Sequence, residues 1–297
     1  MKSYIYNLKN NNNECIICLN KKIKQYFHVK TPYLDRKENY IIYICDNCGH
    51  GFAVGNMDPN YLNQIYGHSF FSSGQQKITQ KNTPANYNAY ARAKMVSKYK
   101  TGNLLDIGTG NGAFLLAAQK FFNVEGVEFS RVAANNCRAK GLKIYQGDFL
   151  SIELSNKKYD IITLWDVLAS IEDPEAALTK CHNLLKNDGM IVMTLPMIDS
   201  WVARLFKSYW PLLIPPVNVH YFTKKSAKSL IEKTGFNFLS YKFNAKKISF
   251  QFLAIKAART LGLSILERVF RKLLPNWAIS LNMFDIATIV FQKQDDH

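Results

Sequence analysis

Long apolar runs are missing from this 297-residue sequence. No stretch of about 18 uninterrupted apolar residues occurs, so the sequence offers no membrane-spanning helix. The start, Met1 to Asn7, lacks the apolar core of a secretory signal, and the expected location is cytoplasmic. Cysteine is sparse: of six, four fall in two C-x-x-C pairs. That usage fits a reducing compartment and a metal better than a disulfide framework. Acid is short as well, with 22 Asp and Glu against 38 Lys and Arg, a net charge of +16. Residues 201–297 hold 15 Lys/Arg and 5 Asp/Glu, so +10 of that charge lies there. An excess of this kind invites nucleic acid or an anionic membrane as a partner. Many of the lysines are scattered singly, however, and charge alone names no polyanion. Asn10 to Asn13 reads as a polar tether. The remainder is long enough for one α/β domain of ordinary size with an appendage.

The strongest short-range signal is Cys15-Ile16-Ile17-Cys18 with Cys45-Asp46-Asn47-Cys48-Gly49. Two such knuckles can supply four thiolates to a tetrahedral Zn²⁺, and four protein ligands leave no open position for catalysis. The expectation is a structural zinc held by Cys15, Cys18, Cys45 and Cys48, with Tyr40 to Ile44 as the strand that delivers the second pair. His50 is an alternative to Cys48, though the spacing favours the thiol. Tyr26, Phe27 and Lys30 are too few for an aromatic stacking face with a basic rim, which favours a folding module over an RNA-holding lobe.

Asn103 to Ile107 reads as a short buried strand; Gly108, Gly110 and Gly112 follow at alternate positions, and Ala113 to Ala118 opens a helix. A strand that turns through glycines into a helix lets the backbone approach a ligand closely. Gly108, Gly110 and Ala113 also satisfy the dinucleotide pattern G-x-G-x-x-A, so the turn alone leaves a nicotinamide cofactor and S-adenosylmethionine both open. Val124 to Glu128 is a second strand that ends in an acid suited to both hydroxyls of a ribose. Ser130 caps a helix to Lys140, and Leu142 to Tyr145 is a third strand before Gly147-Asp148-Phe149. An acid there can reach the exocyclic amine of adenine. Tyr159 to Leu164 is the fourth strand, with Trp165-Asp166 at its carboxyl end, and Met190 to Leu195 is the fifth. A helix from about Asn86 to Lys100 packs on the sheet ahead of the first strand, and the Tyr-, Asn- and Gly-rich connector before it (Tyr61, Tyr66 to Gly74) is of the kind that folds over a ligand.

In order, "LLDIGTGNGAF", "VEGVEFS", "GDF", "YDIITLWDVLASIEDP" and "LLKNDGMIVMTLP" resemble a class I S-adenosylmethionine-dependent methyltransferase. The resemblance implies an α/β, Rossmann-like sheet of seven strands with the last antiparallel. It carries cofactor contacts onto Asp106, Gly108, Gly110, Glu128 and Asp148, with Trp165 lining the pocket and Asp106 at the methionine amine. Ser170 stands where similar proteins often carry a histidine, so a base at that position is absent. The Asn/Asp-Pro-Pro-aromatic motif of amine-methylating enzymes is also absent after the fourth strand, which argues against nucleobase amines as acceptors.

The segment from Ser200 to Phe236 resembles one found in bacterial small-molecule methyltransferases with an N-terminal four-cysteine module. Thr223 caps a helix from Lys224 to Lys233, Phe236 to Phe243 is the sixth strand, and Phe284 to Lys293 the terminal antiparallel one. Phe250 to Leu274 is expected as one helix, either packed on the core with a solvated basic face or touching an anionic membrane or lipid-linked substrate. The expected organisation is a zinc-ribbon-like module at 1–57, a connector and lead-in helix at 58–100, and a methyltransferase domain at 101–297 with a helical insertion at 245–280. His220, after a Pro-Pro loop with Tyr221 alongside, is the first candidate for a general base, with Asp166 second. The leading reading is methyl transfer to a small molecule such as a sugar, a glycolipid or another metabolite. An RNA methyltransferase is the alternative prompted by the charge, and a non-catalytic binding module is the second.

Overall fold

The computed structural model describes residues 14–33, 36–55, 61, 64–65, 83–154, 157–260, 263–275 and 277–294. The tether Asn10 to Asn13 and the connector residues Tyr66 to Gly74 lie outside them. Two long strands, β1 (Ile23–Tyr33) and β2 (Arg36–Cys45), form an antiparallel hairpin, to which β3 (Gly51–Val54) adds. Helix α1 (Pro84–Val96) starts at Thr83, whose hydroxyl accepts from the Asn86 N–H at 3.2 Å. The chain then alternates β4 (Gly102–Ile107), α2 (Ala113–Ala118), β5 (Phe122–Glu128), α3 (Arg131–Arg138) and β6 (Ile144–Gln146). Next come β7 (Tyr159–Trp165), α4 (Pro174–Leu184), β8 (Leu185–Pro196), α5 (Trp201–Phe206), β9 (His220–Tyr221), α6 (Lys224–Lys233) and β10 (Phe236–Phe243). The last stretch holds β11 (Lys246–Ser249), α7 (Phe250–Thr260), α8 (Ser264–Leu273), β12 (Ala278–Leu281) and β13 (Ile286–Lys293).

The central sheet has seven strands in the order β10-β13-β8-β7-β4-β5-β6, parallel from β6 to β8, with β13 antiparallel to both neighbours. This is the expected α/β, Rossmann-like arrangement. Alternation along the strands assigns the two faces. Leu105, Ile107, Ile162, Leu164, Ile191 and Met193 pack on one side under α4 and α6. Leu104, Ile161, Met190 and Val192 pack on the other under α1, α2 and α3. On that second face each strand turns polar at its carboxyl end: Leu104 gives way to Asp106, Ile161 to Thr163, and Val192 to Thr194. A polar floor at the strand tips is thereby fixed by register.

Two expectations change. The cysteine hairpin joins a four-stranded sheet β1-β2-β3-β9, so the ribbon begun in residues 1–57 is completed by His220 and Tyr221 from the far side of the chain. The Thr223 hydroxyl donates to the Cys48 carbonyl at 2.7 Å, and Lys225 Nζ donates to the Asn47 carbonyl at 2.6 Å. The insertion, expected as one helix, is a hairpin of α7 and α8 standing on the antiparallel ribbon β11–β12. The other expected helices and strands occur, with ends shifted by a few residues; α6 begins with Thr223 in a reciprocal capping box with Ser226.

Candidate active site

The turn after β4 is built by backbone bonds to the adjoining strand. The N–H groups of Gly108 and Thr109 donate to the Val127 carbonyl at 2.8 and 3.2 Å. Gly108 has φ +73°, and a Cβ there would lie 2.4 Å from Val167 Cγ2. A side chain at this position would meet both a backbone penalty and a steric one. Above the turn lies a cavity of about 400 Å³, within the range of small-molecule sites. One wall is Asp106, Gly108, Thr109, Gly110, Asn111, Ala113 and Phe114 with Trp165; the other is Ala85, Asn88, Ala89 and Arg92 of α1 with Lys246 of β11.

Asp106 is fully buried at the strand tip, where the Thr163 hydroxyl donates to its Oδ1 at 2.6 Å. Burial pushes its carboxyl up to about 7, opposed by the Thr163 bond and the charge of Arg92. A buried acid on a cavity wall is poised for a cationic ligand group. Trp165 packs edge-on against Phe114 at 5.1 Å, with the Arg92 guanidinium 4.5 Å from its ring centroid. Its indole N–H is buried without a hydrogen-bond partner among the described residues.

Glu128 and Asp148 are not among the residues that line this cavity. Both Glu128 oxygens accept from backbone, Oε2 from Gly110 at 2.7 Å and Oε1 from Ser130 at 2.8 Å, so this acid braces the glycine turn from its strand end. Burial raises its pKa, against the pull of those N–H groups. Asp148 Oδ2 accepts from the Ser151 N–H and hydroxyl at 3.2 and 2.8 Å and closes its own turn.

Asp166, with φ +61°, sits behind the far wall. Its Oδ1 accepts from the Thr194 hydroxyl at 2.7 Å, and Oδ2 faces Arg92 at 3.2 Å and Lys246 Nζ at 3.7 Å. Desolvation would raise its pKa, but the charges of Lys246 and Arg92 outweigh it and hold the carboxyl at about 2. The acid is therefore an anchor for two cations and a poor proton acceptor. For Lys246, burial lowers the pKa against the attraction of Asp166.

His220, the first candidate base, is not among the cavity-lining residues. It is fully buried in β9, with Nδ1 3.3 Å from His50 Nε2 and Nε2 3.0 Å from the Glu172 carbonyl. Burial pulls its pKa down to about 4, so the ring is neutral at pH 7. Its surroundings are those of a pin between the cysteine hairpin and the sheet domain. Sequence reasoning missed Asn88, Arg92 and Lys246. The Asn88 amide donates to the Lys247 carbonyl and accepts from the Lys247 N–H, both at 2.8 Å, and so clamps β11 to α1. No local motif marks a lysine as a cavity residue in a chain with 38 Lys and Arg.

The four thiols of Cys15, Cys18, Cys45 and Cys48 converge, with all Sγ atoms within 4.8 Å of one another. The Cys15–Cys48 and Cys18–Cys45 separations are 3.6 and 3.5 Å. Tetrahedral thiolates at a Zn–S distance of ~2.3 Å would stand about 3.8 Å apart, so the set matches a metal-ligand geometry. Gly49, with φ +71°, turns the chain back after Cys48.

A family model described as a methyltransferase domain matches residues 78–241. An uncharacterised methyltransferase of Bacillus cytotoxicus is 26% identical over 148 residues, which are 46% of this chain and 70% of that protein. A demethylmenaquinone methyltransferase of Staphylococcus epidermidis is 21% identical over 202 residues, 61% of this chain and 82% of that one. Among solved structures, the magnesium protoporphyrin IX methyltransferase of Synechocystis, with bound SAH, shares the fold at a TM-score of 0.51 and 12% identity, over 80% of this chain and all of that one.

Proposed function

The chain belongs to the methyltransferase-domain family, and on that premise we propose that it moves the methyl group of S-adenosylmethionine onto a small-molecule acceptor bound between the glycine turn and the α1–β11 wall. It is an S-adenosylmethionine-dependent methyltransferase; the residue roles and the acceptor class are our reading. The observation that carries the reading is the buried Asp106 carboxyl beside the glycine turn, facing an open cavity. When bound, the cofactor supplies a methyl group already activated by its sulfonium. The residues present suit it: Asp106 for the amino group, the Gly108–Gly110 backbone for close approach, and the orphaned Trp165 N–H on the cavity wall. Glu128 would offer its remaining lone pairs to the ribose, and Asp148 would offer its carboxylate to the adenine amine.

The chain's main contribution is alignment, which can supply about 7–11 kcal/mol when reacting groups are held in line. Arg92 and Lys246, held by their shared carboxylate partner, give the acceptor side a positive face. Lys246 is the better placed of the two to bind or deprotonate an acceptor oxygen, because an ammonium can exchange its proton where a guanidinium cannot, and burial lowers the amine's pKa. His220 and Asp166 take positioning roles in this reading. The demethylmenaquinone relative supports a metabolite acceptor over RNA.

The cysteine cluster is read as a structural zinc site, closed by four protein ligands. Metal analysis should find one zinc per chain, and chelation should lower the melting temperature; a metal-free protein of unchanged stability would end that assignment.

Calorimetric titration with S-adenosylmethionine is the first test. Wild type should bind, and Asp106→Asn should bind at least about 10-fold more weakly, as expected for a lost charge-assisted contact. A folded wild type that does not bind would overturn the reading. Labelled methyl transfer to a metabolite fraction but not to RNA should follow, and label in RNA alone would reverse the acceptor assignment.

A further inference from the structure

The α7–α8 hairpin presents an apolar face outward. On α8, Ile265, Val269 and Leu273 stand four residues apart and are 77%, 38% and 76% exposed, with Leu266 beside them at 39%. At about 100° per residue these four occupy one arc of the helix, and Arg268 and Lys272 fall along its edge. Trp277, at the foot of the hairpin, is 70% exposed. The hairpin is a built unit: Gln251 Nε2 on α7 donates to the Arg271 and Leu274 carbonyls at the end of α8, both at 3.0 Å. Its apolar residues are therefore displayed on an ordered hairpin.

Charge decides what covers this face. Residues 250–274 contain five Lys/Arg and a single acid, Glu267, which pairs with Arg271 at 2.8 Å. Two copies pressed together through this face would bring like charges together, whereas an anionic bilayer supplies both the apolar interior and the opposite charge. Apolar side chains flanked by cations, with a tryptophan at the margin, are the pattern of a helix lying in a membrane interface.

We propose that the α7–α8 hairpin docks on an anionic lipid surface and that the enzyme takes its acceptor there. The second clause rests on the proposed function; the first does not. The stem connects the two. β11 begins with the cavity residue Lys246, and Lys247 is clamped to α1 by Asn88, so a docked hairpin holds the α1–β11 wall in a fixed relation to the bilayer. An acceptor resident in that interface would meet the cavity without passing through bulk water.

The test is co-sedimentation with phosphatidylcholine vesicles, with and without phosphatidylglycerol. Wild type should pellet with the anionic vesicles and be released by salt. Ile265→Asp with Leu273→Asp, and separately Arg268→Glu with Lys272→Glu, should each reduce partitioning by about 10-fold or more. Each variant should keep the wild-type affinity for S-adenosylmethionine by calorimetry, which separates failure of docking from failure of the cofactor site. As a measurement free of folding doubts, brominated phosphatidylglycerol vesicles should quench wild-type tryptophan emission, and Trp277→Phe should lose most of that quenching. Equal partitioning of wild type and both double variants would overturn the proposal. So would wild type that ignores vesicles but self-associates in the ultracentrifuge in an Ile265→Asp-sensitive manner, or that binds only RNA.

Discussion

The two walls of the cavity are made by different means. The near wall is nearly one continuous stretch, Asp106 to Phe114, pinned by backbone bonds to the next strand and braced by Glu128. The far wall joins residues more than 150 positions apart, α1 and β11, and holds them with side-chain bonds: Asn88 to the Lys247 backbone, and Arg92 and Lys246 to Asp166. Backbone-built geometry tolerates change at most side chains but little at its glycines, whereas side-chain-built geometry can be retuned one residue at a time. In the function proposed above, the difference matches the constant part of the ligand, the methyl donor, to the near wall, and the variable acceptor to the far one.

The most damaging way to break this division is at Gly108. With φ +73° and Val167 2.4 Å from where a Cβ would stand, Gly108→Val should weaken S-adenosylmethionine binding by at least about 100-fold, because left-handed backbone strain of about 1–3 kcal/mol adds to that clash and the turn relieves both only by leaving its present shape. Calorimetry beside a thermal melt would check it. Retained binding would mean that the turn does not hold the donor.

The near wall was legible in the sequence because strand, glycines and helix are contiguous, and each has its own local signature. The acids at strand ends followed from counting strands, so Asp106, Glu128 and Asp148 fell at tips of adjacent strands. What that counting lacked was orientation: Glu128 is turned onto the Gly110 and Ser130 N–H groups, a geometry visible only once the turn is folded. His220 reads in sequence as a base candidate after a Pro-Pro loop because its partner, His50, lies 170 residues away, and nothing local marks a ring as buried against another. In sequence the hairpin reads as one helix because Leu253, Ala257, Leu261, Ile265, Val269 and Leu273 keep an unbroken spacing of four, and only Gly262 interrupts the local propensity. Lys246 and Arg92 were invisible for the general reason that a far wall is assembled by topology.

A sharper probe of the near wall is the pH dependence of donor binding. Asp106 has a folded pKa of about 7, raised from its ordinary value, so the free enzyme holds a proton there in mildly acidic solution. In the proposed donor pose the amino group needs the ionised carboxylate. Affinity should therefore be full above pH 7 and fall by up to about 10-fold per pH unit below it, with a proton released on binding. Calorimetry at pH 6 in buffers of different ionisation enthalpy measures that proton directly. Asp106→Asn should bind about 10- to 100-fold more weakly and release none. The same raised pKa favours the folded free enzyme at low pH, a stabilisation complete below the ordinary carboxylate range and lost as pH rises through about 7. The apo melting temperature of Asp106→Asn should accordingly lack that decline.

The smallest effect is expected at the far wall, and it tests whether the two walls act separately. Asn88→Ala removes both bonds that tie β11 to α1 while leaving the glycine turn and Asp106 untouched. A lost pair of partly buried hydrogen bonds is worth about 1–3 kcal/mol, and here it loosens the wall rather than the fold. Turnover with a saturating donor should drop several-fold and the acceptor KM should rise, while donor affinity stays within about two-fold of wild type. Lys246→Met should shift the same two parameters, and it should also remove the rise of rate with pH that accompanies loss of the amine's proton if that amine takes the acceptor proton. Should Asn88→Ala instead weaken the donor as much as Asp106→Asn does, the side-chain clamp and the backbone turn would form one cooperative cradle. The division of labour between the walls would then have to be given up, with β11 acting as a lid over the donor rather than as a platform for the acceptor.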